Sequence, residues 1–158
     1  MDCCEPTKKS QACCPQCNVK GRAVSFVTVS SMLAPEAATS FQEGAWICKE
    51  LACSVLYYGE LGQVALQNQA QVRGGCKETA DPLTLCYCFE ITRANIEQEI
   101  AETGSCAIPG RIASLTREGR CDCERKNPAG VCCLGEIRAA VTTALRSMGK
   151  ETTGEKQR

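Results

Sequence analysis

The spacing of apolar residues changes near the middle of the chain. Residues 22–33, RAVSFVTVSSML, are rich in β-branched residues and phenylalanine and read as a strand. Residues 34–44, APEAATSFQEG, read as a loop or a short helix. Residues 45–59, AWICKELACSVLYYG, read as two short strands around a cysteine-bounded turn, and QVALQ at 63–67 as a third strand. Gly74-Gly75 and KETADP at 77–82 form a linker. Beyond it the helical period takes over. In TRANIEQEIAETG, Thr92 reads as an N-cap, Ile96 and Ile100 share a face, and Gly104 is the stop. RIASLTREG at 111–119 reads as a short second helix. Ile137, Val141, Leu145 and Met148 fall at spacings of four, four and three, with Gly149 as the stop. These stripes read as core packing, and KETTGEKQR at 150–158 as a solvated tail.

The pattern gives elements for an α+β fold but little to bury. Aromatic residues are 4% of the 158, and a core so thin needs staples. Fifteen cysteines supply them, a share at which cross-linking is the first expectation for a short chain. Three observations argue against disulfides. The start, Met1-Asp2-Cys3-Cys4-Glu5-Pro6, has neither a basic n-region nor an apolar h-region. The cysteine number is odd. No apolar run approaches the ~18 residues that span a bilayer, so no membrane insertion is expected. The expectation is a cytoplasmic protein whose reduced thiols bind metal, with export by an unrecognised route as the alternative.

The chain contains no histidine, and this narrows the chemistry. A Ser-His-Asp or Cys-His nucleophile is excluded. A metal site must rest on thiolates, which favour structural zinc, iron–sulfur clusters or Cu(I). The formal net charge is zero and there is no basic stripe, so nucleic acid is not an expected partner. Glu97, Glu99 and Glu102, and Arg117, Glu118 and Arg120, read as solvated faces. No phosphate-binding glycine loop occurs. The chain is at most a metal-ion reductase or electron-transfer protein, with no hydrolase or transferase site.

The cysteines fall into two constellations. Cys14-Pro15-Gln16-Cys17 is a C-x2-C knuckle, and Cys48 and Cys53 form a second pair. Two such pairs make the four-sulfur set of a structural zinc site, with VLYY at 55–58 packed beneath it. The competing reading is four reduced, half-buried cysteines acting as small hydrophobes. Cys13 lies outside the pairs. In the second constellation, Cys86-Tyr87-Cys88 precedes the helix that starts near Thr92, and Cys132-Cys133 precedes the helix containing Ile137. Cys121-Asp122-Cys123 lies between them. Thiols thus gather near helix N-termini, whose unpaired N–H groups and partial positive charge suit an anionic [2Fe–2S] centre.

CPQC, CKELACSVLYY, CYCFEITRANI and CERKNPAGVCCLGEI, in this order, resemble the N-terminal domain of the CopZ family of copper chaperones over residues 13–148. The second half also resembles the [2Fe–2S] domains of the bacterioferritin-associated-ferredoxin type. The resemblance implies zinc on Cys14, Cys17, Cys48 and Cys53. It implies a [2Fe–2S] cluster on Cys86, Cys88, Cys123 and Cys133, with Cys132 the rival for the fourth place and Cys121 a competitor of Cys123. Cys76 and Cys106 have no role in it. With the polar stretches at either end, the expected organisation is a flexible cysteine-containing arm at 1–12, a zinc-binding subdomain at 13–75, a [2Fe–2S] subdomain at 82–149 and a tail at 150–158. The fold expected is a small zinc-pinned antiparallel sheet followed by a helix–turn–helix.

The family's heavy-metal-associated domain, with its own C-x2-C, is not expected in the stretch up to Arg158, so the resemblance does not by itself imply a copper chaperone. What it implies is copper or other soft-metal handling, with one-electron reduction of Cu(II) to Cu(I). Cys3, Cys4, Cys13 and Cys132 are the candidates for transient Cu(I) or Hg(II) binding. The partners would be metal ions and a metal-transport ATPase or a separate heavy-metal-associated chaperone. The alternatives are a ferredoxin-like electron-transfer or docking module with purely structural zinc, and a non-redox thiolate scavenger.

Overall fold

A computed structural model describes residues 13–71, 77 and 81–155. The chain divides into two compact units, Met1–Glu78 with Glu124–Val131, and Thr79–Cys123 with Cys132–Arg158. The first is built on a four-stranded antiparallel sheet in the order β1 (Arg22–Val24), β2 (Ala45–Ile47), β3 (Val55–Gly59), β4 (Val64–Leu66). Between β1 and β2 run two short helices, α1 (Phe26–Met32) and α2 (Pro35–Ala38), and a 3-10 turn, Thr39–Phe41.

The strand expected over residues 22–33 ends at Val24, and the rest is α1. The Ser25 hydroxyl caps this helix, accepting the Thr28 N–H at 3.2 Å. Val29, Met32 and Leu33, spaced i, i+3, i+4, then share one buried face. Tertiary burial outweighs the β-branched propensity of the segment. Segment Glu124–Val131 joins this unit at two points. Ser25 donates to the Glu124 carboxylate at 2.9 Å, and the buried Tyr57 hydroxyl donates to the Pro128 carbonyl at 2.6 Å.

β3 is buried along its whole length. Its pairing with β4 shifts register between Val55 and Tyr57, so one extra residue is inserted in β3. The shift decides which way the side chains face. Leu56 and Tyr57 pack with Val29, Met32, Phe41 and Ile47, while Val55 and Tyr58 pack with Cys14, Cys48 and Cys53. The bulge thus gives one strand two buried faces of different chemistry.

In the second unit a two-stranded hairpin, β5 (Thr84–Cys86) and β6 (Ile91–Thr92), leads into α3 (Arg93–Thr103). Thr92 caps α3: its hydroxyl accepts the Asn95 N–H at 3.3 Å, while Asn95 Oδ1 accepts the Thr92 N–H at 2.8 Å. Gly104, at φ +76°, ends it in the left-handed conformation that glycine favours. α4 (Ile108–Arg117) and α6 (Leu134–Glu155) follow; α5 (Cys123–Lys126), between them in sequence, has Glu124–Lys126 in the segment that belongs to the first unit. α6 passes through Gly149, which read as a stop. Ile96, Ile100, Ile108, Ile112 and Ile137 form this unit's core together with Cys86 and Cys133. Among the described residues, no helix is long and apolar enough to cross a membrane.

Candidate metal centres

The knuckle of the first centre is a tight reversal. Cys13 bridges Lys20, the Cys14 N–H donates to the Val19 carbonyl at 2.9 Å, and Asn18 takes a left-handed φ of +61°. This brings Cys14 and Cys17 back over β2 and β3. Cys48 and Cys53 flank the turn between those strands, and the Cys48 N–H donates to the Leu56 carbonyl at 2.9 Å. The four sulfurs lie within 4.8 Å of one another, with Cys14–Cys53 at 3.9 Å and Cys17–Cys48 at 3.6 Å. Cys14, Cys48 and Cys53 are buried and Cys17 is half-buried.

Four thiols so close do not ionise together. Burial pushes Cys17 up to about 12 and raises Cys48. Burial pushes Cys14 upward too, but the backbone N–H groups of Cys17 and Gln16 donate to its sulfur and hold it below the ordinary thiol value. A soft divalent cation removes the conflict by taking all four as thiolates. The donor set is purely sulfur, one of the sets that structural zinc takes.

Tyr58 stacks on Trp46 with ring centroids 6.0 Å apart and walls one side of the centre. Its hydroxyl accepts the Gly21 N–H at 3.0 Å, and burial pushes its pKa up to about 12. A β-carbon on Gly21 would stand 2.4 Å from that hydroxyl and 2.5 Å from the Ile47 carbonyl. Gly21→Ala is therefore expected to cost about 1–3 kcal/mol of stability, read by chemical denaturation. An unchanged midpoint would show that the contact is relieved freely.

The second constellation meets in two pairs. Cys88 and Cys123 are 3.7 Å apart, and the Asp122 N–H donates to the Cys88 sulfur at 3.2 Å. The Cys133 thiol donates to Cys86, and this, with the backbone N–H groups of Phe89 and Cys88, holds Cys86 down at about 6 despite burial. Cys133 is raised well above the ordinary thiol value, first because it is that donor and then because it is buried. Burial, followed by the neighbouring Cys88, pushes Cys123 up to about 12. Each pair thus holds a thiol that keeps its proton until a cation replaces it.

The helix ends contribute unequally. Cys133 sits at the N-cap position of α6, its carbonyl accepting the Ile137 N–H at 3.0 Å. Cys86 and Cys88 lie on the β5–β6 hairpin, whereas the N-terminus of α3 is capped by Thr92.

The remaining cysteines stand apart. Cys132 is exposed beside the buried Cys133, and Cys13 and Cys121 are half-buried. Cys106 donates to the Glu99 carboxylate at 3.0 Å. Cys3, Cys4 and Cys76 lie outside the described residues. Sequence reasoning placed Tyr58 beneath the first centre but missed Gly21, Gln67 and Lys77 around it. Lys77, read as part of a linker, is buried, and only an unusual glycine before a strand hinted at the contact of Gly21 with Tyr58.

A protein family described as a zinc binding domain, zf_CopZ, matches residues 11–72, the stretch that holds all four sulfurs of the first centre. The X-ray structure of the Archaeoglobus fulgidus CopZ N-terminal domain superposes with a TM-score of 0.63 at 25% identity, covering 80% of this chain and 95% of that one. The chain is similar to the CopZ N-terminal domain. The whole copper chaperone CopZ of Archaeoglobus fulgidus is 26% identical over 121 residues, 76% of this chain. The chain spans 57% of the length of that curated relative. The match to the zinc binding domain supports a zinc site in the first unit.

Proposed function

We propose that the chain is a zinc and iron–sulfur protein of copper handling. Cys14, Cys17, Cys48 and Cys53 hold one structural zinc. Cys86, Cys88, Cys123 and Cys133 hold a [2Fe–2S] cluster, which when bound supplies one electron at a time. The observation that carries the reading is the presence of two separate all-sulfur constellations, one a compact set of four and the other two pairs.

Copper is the substrate. Cu(II) takes up one electron and leaves as Cu(I), which soft thiolates prefer. Cys132, exposed at the entry to α6, is placed to meet an incoming ion, and Cys3, Cys4 and Cys13 are further candidates for transient capture of Cu(I) or Hg(II). Cys133 is withdrawn into the core, so the two neighbouring thiols divide the work of passing cargo and holding iron. The receiving partner would be a metal-transport ATPase or a heavy-metal-associated chaperone in the cytoplasm.

Anaerobic purification tests the reading. Metal analysis is expected to give about one zinc and two irons per chain. The chemically reduced protein is expected to show an electron paramagnetic resonance signal that Cu(II) abolishes, with one Cu(I) appearing per electron in a chelator assay. A reduced signal indifferent to Cu(II) would replace the reductase with an electron-transfer module. Protein without iron in any preparation would leave a thiolate scavenger.

A further inference from the structure

We propose that the buried ammonium of Lys77 is the counter-charge of the four-sulfur centre and sets how tightly that centre holds zinc. The inference rests on the zinc reading above and adds a residue outside the matched stretch 11–72.

Lys77 is 6% exposed, and lysine is almost never so buried without a partner for its charge. Its ammonium donates to the Cys53 carbonyl at 2.9 Å and to the Val55 carbonyl. The Gln67 amide donates to the same Cys53 carbonyl at 2.9 Å. Carbonyls solvate an ammonium but do not neutralise it. Among the described residues, no carboxylate pairs with Lys77.

The missing negative charge is close by. A divalent ion held by four thiolates carries a net charge of about minus two, in a site with three buried sulfurs. Cys53 is one of those four, and the Lys77 ammonium reaches its carbonyl at 2.9 Å. Two buried groups, each costly alone, therefore answer one another across the Cys53 backbone. By donating to the carbonyl of a ligand residue, Lys77 also orients that residue, as outer-shell groups do at other metal sites. It is a positioning residue that acts through Cys53 and through its field.

Three substitutions in the full chain separate charge from packing. Lys77→Met keeps the length of the stem and loses the charge. Lys77→Gln keeps a donor for the carbonyls and loses the charge. Lys77→Arg keeps the charge. With zinc alone as the probe, competed against a chromophoric chelator, the Kd is expected to rise about 10–100-fold in the Met and Gln variants. The Arg variant is expected to stay within about threefold of wild type. In the Co(II)-substituted proteins the sulfur-to-cobalt charge-transfer band is expected to move to longer wavelength in Met and Gln and to stay in place in Arg, a change that packing alone would not produce. Wild-type affinity in the Met and Gln variants would overturn the proposal. So would equal losses in all three variants with an unmoved band. A wild-type chain that takes up no zinc would instead remove the zinc reading on which the proposal stands.

Discussion

Stripping zinc from the full chain is expected to unfold the first unit, and Cys53→Ser is expected to do the same in the presence of zinc. Three of the four sulfurs are buried and all lie within 4.8 Å of one another, so the metal-free site must bury several thiols that repel one another as they ionise. Zinc binding contributes about 10–16 kcal/mol in small zinc-dependent peptides. That equals or exceeds the whole net stability of an ordinary domain, about 5–15 kcal/mol. The balance therefore falls to the unfolded state once the ion is gone. The single tryptophan reports the event directly, because Trp46 stacks on Tyr58 beside the centre. Its emission is expected to lose its cooperative thermal transition. Where a remnant survives, its midpoint should drop by about 12–24 °C for each ~3 kcal/mol lost at this size. A Trp46 transition that is the same with and without metal would refute a structural role for the ion.

Cys133→Ser is expected to abolish iron binding, whereas Cys132→Ser is expected to leave it intact. The two thiols are neighbours in sequence and opposites in setting. Cys133 is buried, engages Cys86 and sits at the N-cap of α6, while Cys132 is exposed. Anaerobically prepared Cys133→Ser should retain less than about a tenth of wild-type iron and lose its visible colour, since a serine oxygen replaces one of four required thiolates. Cys132→Ser should keep about two irons per chain and the reduced resonance signal, and lose only its contribution to copper capture. The reverse result would hand the fourth ligand position to Cys132.

The first centre was legible because its grammar is local. C-x2-C and C-x4-C each fix two sulfurs at the ends of a turn, and the strands around Cys48 and Cys53 follow from the short apolar runs AWI and VLYY. The capped helix α3 was legible for the same reason, since Thr92, Ile96, Ile100 and Gly104 carry its start, face and stop within thirteen residues. What depends on distant residues was not legible. α1 looks like a strand by propensity and becomes a helix because Val29, Met32 and Leu33 have a core to fill. Lys77 sits in a polar, glycine-preceded stretch that signals a linker, and only its distant acceptors, Cys53 and Val55, reveal it as buried. Gly149 reads as a helix stop, yet a glycine inside a helix costs only about 1 kcal/mol against alanine, too little to end a helix of 22 residues.

The segment Glu124–Val131 has a consequence for anyone dissecting this chain. It completes the sheet unit through the bond from Tyr57 to Pro128, yet it is spelled between Cys123 and Cys132, inside the sequence of the other unit. Scissors placed after residue 78 would therefore deliver no intact half. The N-terminal fragment would leave the Tyr57 hydroxyl facing a vacated seat, and the C-terminal fragment would carry a stray eight-residue loop. Faithful fragments would have to be rewired by grafting that loop back in trans or by circular permutation.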